Sequence, residues 1–180
     1  MELQQAMETR RSIRGYLARP VEKGQLEELI QAALLAPTWK NSETSRYYIT
    51  LCGAESGTYE AVRAALPEFN ANSTKNAGAY IVQTFVPNVS GFLPDGTPNN
   101  ELGNGWGCYD AGLQAMNLLL KAHDLGLSTL VMGIRDADAL QKALNIPETE
   151  TVVSVIAVGY SDLSPDRKPR KALEEVAHFL

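Results

Sequence analysis

The sequence predicts a mixed α and β fold, because segments of helical and of strand character alternate along the chain. The chain has 180 residues, of which 44% are hydrophobic and 21% charged, so it can form a sizeable core. No internal repeat or linker divides it, and we expect a single domain over residues 1–180. One long helix candidate near the middle is apolar on most of its circumference, which indicates that it must be covered on most sides.

Helices and strands are both predicted in the first half of the chain. Apolar residues at helical spacing predict helices over residues 2–9, 22–35 and 58–66. Runs rich in apolar, aromatic and β-branched residues predict strands over residues 47–52 and 79–86.

The second half begins with the longest predicted loop, residues 87–105, which holds three prolines and four glycines. Loops of this length often act as lids or as partner-binding arms. Further on, the pattern predicts a helix over 136–144 and a buried strand over 151–160. A basic cluster at 166–171 precedes a short predicted helix.

The central helix candidate, residues 106–125, carries two apolar stripes. The first stripe is Trp106, Tyr109, Leu113, Met116 and Leu120, and the second is Ala111, Ala115, Leu118, Ala122 and Leu125. A helix of this kind lies in the core, in a subunit interface, or in both. We expect both, and a purely intrachain helix is the alternative.

Composition limits the kinds of partner and site. The net charge of −5 argues against a general nucleic-acid binder, because phosphate-backbone binding needs an excess of Lys and Arg. No apolar run reaches the ~20 residues of a membrane span, and the first residues lack a signal-peptide pattern, so a cytoplasmic protein is predicted. Cys52 and Cys108 form no C-x-x-C motif and are predicted to be buried thiols; no metal site is expected.

Neither histidine has the neighbours of a catalytic site. His123 lies near the end of the central helix, where a positive ring would suit the helix C-terminus, and His178 lies near the end of the chain. A structural role is expected for both. Because the chain lacks a recognisable nucleophile or redox centre of its own, a cofactor is expected to carry the chemistry if the protein is an enzyme.

Basic residues are concentrated at the two ends of the chain. The N-terminal group is Arg10, Arg11, Ser12 and Arg14. Guanidinium groups bind phosphate through pairs of parallel hydrogen bonds, although a solvated basic turn after the first helix is an equal alternative. Lys168 and Arg170 lie at the other end, and chain ends often lie close together in compact domains. The two groups could therefore hold one phosphate.

Two shorter segments carry groups that could face a flat ligand. Asn72 and Lys75 are three residues apart, which places them on one face of a helical turn. Two exposed polar residues on a helix are an equally good explanation. Met132 and Gly133 end an apolar run at a glycine, where a backbone can approach a ligand closely, although a plain strand end is the simpler alternative.

Six segments together resemble blocks of the nitroreductase family of FMN-dependent oxidoreductases. They lie in the family's order over nearly the whole chain, at residues 9–14, 36–41, 110–118, 126–128, 158–160 and 168–176. The resemblance implies an α+β fold in which helices flank a mostly antiparallel sheet. It also implies a homodimer that associates through the long central helix and binds two FMN molecules at the interface.

The resemblance implies chemistry as well. NADH or NADPH would deliver a hydride to flavin N5 and leave, and a small-molecule acceptor such as a nitroaromatic or a quinone would then be reduced, in a ping-pong sequence. No side chain is implied as a general acid or base. The alternatives are a specialised flavin dehydrogenase or dehalogenase of the same fold, and a flavin-binding sensor or carrier without turnover.

Individual site residues follow only from the resemblance. Arg10, Ser12 and Arg14 would contact the phosphate, ribityl chain or ring edge of FMN, with Arg11 beside them. Lys168 and Arg170 would complete the binding of the phosphate. The ring would be lined from the other subunit by Pro37, Thr38, Trp39 and Asn41. Asn72 and Lys75 would face the pyrimidine side, and Met132 and Gly133 would bring a backbone N–H towards N5.

The chain departs from the family pattern after Asn41. Glu43 places a carboxylate where an amide is usual, and the Pro-Trp pair that commonly follows is missing. The region between Asn76 and Trp106 is also compressed relative to the family. The shape of the acceptor site therefore does not follow from the resemblance.

Overall fold

The structure is a computed structural model that describes residues 1–180. Its helices are α1 (Leu3–Thr9), α2 (Lys23–Leu34), α3 (Thr58–Ala64), α4 (Glu68–Ser73), α5 (Gly105–Asp124) and α6 (Ala137–Leu144). Its strands are β1 (Ser45–Leu51), β2 (Ala79–Phe85), β3 (Ser128–Met132) and β4 (Thr151–Gly159). Short 3-10 helices lie at Trp39–Asn41 and Leu173–Glu175.

The four strands form one sheet in the order β1-β2-β4-β3, and every neighbouring pair is antiparallel. This confirms the expected α+β fold with an antiparallel sheet. The central strand β2 is buried at every residue, because helices cover both faces of the sheet.

Successive residues of a strand point to opposite faces, and each face has its own core. On one side, Ile81 of β2 packs with Leu29 of α2 and Leu118 of α5, and none of the three is exposed. On the other side, Tyr80 packs in a cluster that includes Leu140 of α6. Burial of such side chains is the main favourable term that holds the layers together.

Helix α5 is only half covered within the chain. Residues of its second stripe, including Ala111, Leu118 and Ala122, are buried against the sheet and α2. On the first stripe, Tyr109 remains 59% exposed and Met116 38% exposed. The chain alone therefore leaves part of an apolar surface along α5 without cover.

The predicted elements agree with the structure to within a few residues, but some predictions are wrong or incomplete. The 3-10 helix at Trp39–Asn41 is not predicted, and α4 is anticipated only as the helical turn at Asn72, with Lys75 lying beyond its end, because both helices are too short to show helical periodicity. The five-residue strand β3 is considered only as the alternative of a plain strand end at Met132. The predicted C-terminal helix is only a single 3-10 turn, Leu173–Glu175. The predicted long loop is confirmed, since residues 86–104 contain no helix or strand.

The prediction of buried thiols is wrong for both cysteines, which are exposed within the chain. Cys52 lies in the turn that follows β1, and Cys108 projects from the uncovered side of α5. Adjacent apolar residues misled the prediction, because neighbours along a helix or strand point in different directions. No helix has both the length and the apolar character that crossing a membrane requires.

Candidate functional site

The two basic ends of the chain meet at one cavity of about 420 Å³, called here the terminal cavity. Its lining consists of Met7, Arg10, Arg11, Ser12, Arg14, Pro165, Asp166, Arg167, Lys168 and Arg170. Six of these side chains are positive and one is a carboxylate, in a chain whose net charge is −5. The excess of local positive charge suits an anionic ligand.

The pairing of β3 with β4 explains why distant parts of the sequence converge. The backbone N–H of Ile13 donates to the carbonyl of Thr129 in β3 at 3.0 Å, which fixes the N-terminal arginine segment beside that strand. The C-terminal tail leaves the neighbouring strand β4, and the hydroxyl of Ser161 donates to the carbonyl of Gly15 at 2.8 Å. Both basic groups are therefore anchored at one edge of the sheet.

The terminal cavity is electrostatically unfavourable without a negative partner. Burial lowers the pKa of Arg10, and the nearby charges of Arg11 and Arg170 lower it further. The Nε atoms of Arg10 and Arg11 are buried and have no hydrogen-bond partner. An anion that entered the cavity would relieve the repulsion between these guanidinium groups, whereas the buried Nε–H groups would reach it only after the side chains rearranged. The residues present thus fit a phosphate group.

A second group of predicted site residues surrounds Trp39, in what we call the tryptophan segment, residues 37–43. The Trp39 ring lies 4.5 Å from that of Trp106. The hydroxyl of Thr38 accepts the backbone N–H of Glu43 at 3.2 Å. The side-chain amide of Asn41 donates to the carboxylate of Glu43 at 3.0 Å, so the acidic residue that departs from the family pattern holds Asn41 in place. Pro37 is exposed at the start of the segment.

The tryptophan segment and the terminal cavity lie at opposite ends of α5. The backbone N–H of Trp39 donates to Asp110 near the start of the helix. Thr9, which precedes the N-terminal arginines, contacts His123 of the same helix, and His123 lies thirteen residues after Asp110. At 1.5 Å per residue the two contact points are about 20 Å apart along the axis. One chain does not bring these two groups of residues together.

The remaining predicted residues lie elsewhere. Asn72 is exposed on α4, and Lys75 lines a separate cavity of about 220 Å³ together with Arg19 and Cys52. Met132 ends β3 with its side chain buried, and Gly133 follows it at the surface. Nothing in these positions tests their predicted roles towards a flavin, which stay predictions.

Sequence reasoning missed His123 as a neighbour of the arginines. The hydroxyl of Thr9 donates to the carbonyl of Gln5, so the ring Nε2–H of His123 donates to that same oxygen, at 2.7 Å. Burial lowers the pKa of His123, and Arg10 and Arg11 lower it further, while Asp124 acts in the opposite direction. These effects disfavour the protonated ring and oppose the favourable interaction that a positive ring would have with the helix C-terminus.

Sequence reasoning also passed over Arg167 and Asp110. Arg167 lies in the basic tail cluster and lines the terminal cavity, so its position in that cluster was an available signal. Asp110 is 2% exposed and accepts hydrogen bonds from Trp39 and Ser90. The only signal for Asp110 was a charged residue between the apolar residues of the central helix.

Comparison with known proteins gives a consistent result. The model of the nitroreductase family matches residues 7–160. A relative from Archaeoglobus fulgidus is 29% identical over 157 residues, covering 84% of this chain and 81% of the relative. The NADPH-flavin oxidoreductase of Vibrio harveyi is 27% identical over 180 residues, covering 93% of this chain and 69% of that protein.

Solved structures share the fold at lower sequence identity. The nitroreductase family protein of Streptococcus pneumoniae has a TM-score of 0.85 at 17% identity and covers 99% of this chain and 100% of its own. A structure from Desulfovibrio desulfuricans in complex with FMN has a TM-score of 0.80 at 21% identity, covering 100% of this chain and 98% of its own.

A titration of His123 checks the electrostatics of the terminal cavity. We expect added inorganic phosphate to raise the pKa of His123, because neutralising Arg10 and Arg11 removes the repulsion that disfavours the protonated ring. The measurement is a pH titration of the imidazole resonances by NMR, with and without phosphate. His178, the only other histidine, is the internal control. A pKa of His123 that does not move while phosphate binds would contradict this account.

Proposed function

Because the family model covers residues 7–160, the chain belongs to the nitroreductase family, and we propose that it is an FMN-dependent oxidoreductase that uses NADH or NADPH. The observation that carries the proposal is the terminal cavity, where six positive side chains surround space for a phosphate. A bound phosphate would offset the repulsion of Arg11 and Arg170 that, with burial, lowers the pKa of Arg10. The names of the relatives support the cofactor, since one is an NADPH-flavin oxidoreductase and another was solved with FMN.

In the proposed mechanism, FMN supplies hydride acceptance at N5 and transfer of electrons to the acceptor. The protein's own residues bind and orient it. Arg10, Arg14, Lys168 and Arg170 would hold the phosphate through charge-assisted hydrogen bonds, with Arg11 and the Ser12 hydroxyl beside them. Because the donor and the acceptor would use one site in turn, the kinetics would be ping-pong, with nitroaromatics or quinones as acceptors.

We also propose that two copies complete each site. Within one chain the tryptophan segment lies at the start of α5 and the terminal cavity at its end. An antiparallel arrangement of two α5 helices would place Pro37, Thr38, Trp39 and Asn41 of one copy against the cavity of the other. The exposed apolar side chains of Tyr109 and Met116 give α5 a surface that such a partner could cover.

The remaining parts of the site are proposed on the resemblance alone. Asn72 and Lys75 would face the pyrimidine side of the flavin, and the backbone at Met132 and Gly133 would approach N5. A cytoplasmic location and the absence of a nucleic-acid partner also stay predictions from composition.

The direct test is anaerobic reduction of the purified, FMN-loaded protein. We expect NADH or NADPH to bleach the oxidised flavin spectrum, and a nitroaromatic or quinone added afterwards to restore it. Stopped-flow absorbance with each nicotinamide separately measures both halves of the reaction. A protein that takes up no FMN, or whose bound FMN neither nicotinamide reduces, would contradict the proposal.

Substitutions in the terminal cavity test the phosphate site. Arg10→Ala and Lys168→Ala should each weaken FMN binding by about tenfold to a hundredfold, because each removes a charge-assisted contact worth roughly 1.5–3 kcal/mol. The measurement is fluorescence titration of the apoprotein with FMN. Lys142→Ala on α6 is a matched control, since it removes an exposed positive charge outside the cavity. Unchanged affinity in both cavity variants would refute this placement of the phosphate.

Substitution on the uncovered stripe of α5 tests the dimer. Met116→Asp should leave the isolated chain folded, because Met116 is already 38% exposed, but it should disrupt an interface that buries the new charge. Analytical ultracentrifugation gives the mass, and circular dichroism checks the fold. Lys142→Asp, a charge change on α6, is the control. A Met116→Asp protein that remains a dimer would show that this stripe is not the interface.

A further inference from the structure

We propose that Asp110 is a positioning residue: it holds the tryptophan segment and the long loop, residues 86–104, in one arrangement and so shapes the acceptor side of the site. This inference rests on the proposed function for its effect on turnover. The anchoring itself is a property of the folded chain and can be measured without any substrate.

The carboxylate of Asp110 is buried and accepts hydrogen bonds from two uncharged donors. The backbone N–H of Trp39 points between its two oxygens, at 3.1 Å from Oδ1 and 3.0 Å from Oδ2. The hydroxyl of Ser90 donates to Oδ2 at 2.6 Å. Asp110 is only 2% exposed and has no ion-pair partner, so these two donors are what compensate its burial.

The backbone after Trp39 needs such an anchor. Lys40, Asn41 and Glu43 have φ values of 47°, 55° and 49°, in the left-handed region that non-glycine residues seldom adopt. Residues in sparsely populated conformations persist when surrounding contacts fix them, and they cluster at functional sites. The bond from Trp39 to Asp110 fixes the entry into this strained stretch, and thereby the position of the Asn41 side chain.

The same carboxylate reaches the long loop through Ser90. Trp106, one turn before Asp110 on α5, lies 4.5 Å from the Trp39 ring and donates its Nε1–H to Asn100 of the loop at 2.9 Å. Gly91 lies so close to the Trp106 ring that a Cβ atom there would collide with it. One packing arrangement therefore includes the loop, the tryptophan pair and the segment that follows Trp39. The hydrogen bonds of Asp110 to Trp39 and Ser90 join these parts.

Asp110 acts through Trp39 rather than on a ligand, because its side chain is inaccessible. If the tryptophan segment lines the ring, as proposed, its loosening affects binding of the acceptor more than retention of the phosphate, because the phosphate would be held by the basic side chains of the terminal cavity. The signature expected of a positioning role is a raised KM for the acceptor with a smaller change in kcat. A role in global stability alone does not produce that split.

The experiment uses four variants of the FMN-loaded protein: Asp110→Ala, Asp110→Asn, Ser90→Ala and the control Leu118→Val. Trp39 and Trp106 are the only tryptophans in the chain, so exciton-coupled circular dichroism reports on this pair. It is recorded without donor or acceptor. The neighbouring ring of Tyr109, 5.5 Å from that of Trp106, is common to all four variants. Leu118→Val weakens the core under the same helix without touching Asp110, Trp39 or Ser90.

We expect Asp110→Ala to lose the exciton signal and to raise the KM of the acceptor by about tenfold or more, because two charge-assisted hydrogen bonds are lost. Asp110→Asn should weaken the exciton signal and raise the KM by less than Asp110→Ala does. Its amide oxygen can still accept from Trp39, and its NH₂ can donate to Ser90. Ser90→Ala should keep the exciton signal and raise the KM by a smaller factor. Leu118→Val should change neither quantity.

An unchanged exciton signal and KM in Asp110→Ala would overturn the inference, and so would the same changes in Leu118→Val. Should Asp110→Ala fail to fold, Asp110→Asn decides: a protein identical to wild type in both quantities refutes the positioning role. Failure of the proposed function is separate, because it appears as unreduced flavin in the wild-type protein. The exciton series still decides whether Asp110 anchors Trp39 in that case.

Discussion

The antiparallel pairing of β3 with β4 is the constraint on which the proposed site depends. It places the segment that follows α1 and the tail that follows β4 at one edge of the sheet, although the two lie at opposite ends of the sequence. Six positive side chains are thereby held around one cavity, at the cost of mutual repulsion and partial burial that lowers the pKa of Arg10. The apolar cores on both faces of the sheet stabilise the fold, and this stability offsets the unfavourable free energy of holding the positive cluster together.

Helix α5 organises the rest of the molecule. Its buried side contacts the sheet and α2, its first turns hold the tryptophan segment and the long loop through Asp110, and its end meets the start of the arginine segment at His123. The uncovered stripe at Tyr109 and Met116 faces away from the chain's own core. One helix thus links a core, an exposed apolar surface and two groups of candidate site residues.

Much of the fold follows from the sequence because its signals are periodic. The apolar run 79–86 and the two stripes of 106–125 repeat over several residues, and both segments form the predicted elements. The meeting of Arg10 with Lys168 and Arg170 also followed from their positions at the two chain ends. Short features gave no such signal: α4 has six residues, and the exposure of Cys52 and Cys108 depends on tertiary packing. The hydrogen bonds of Asp110 could not be predicted either, since its partners Trp39 and Ser90 are 71 and 20 residues away.

The tail that supplies Lys168 and Arg170 has a different character from the arginine segment opposite. From Asp162 onwards it is almost entirely exposed, and a single 3-10 turn is its only regular structure. Packing restricts this tail very little, so most of its conformational freedom remains. A ligand that binds to it must therefore offset the conformational entropy that is lost when the tail becomes fixed. If the tail holds the cofactor phosphate as proposed, capture and release of the cofactor would depend on how readily the tail closes over that phosphate. A protease that trimmed the tail would then remove three of the six positive side chains of the cavity while leaving the sheet intact.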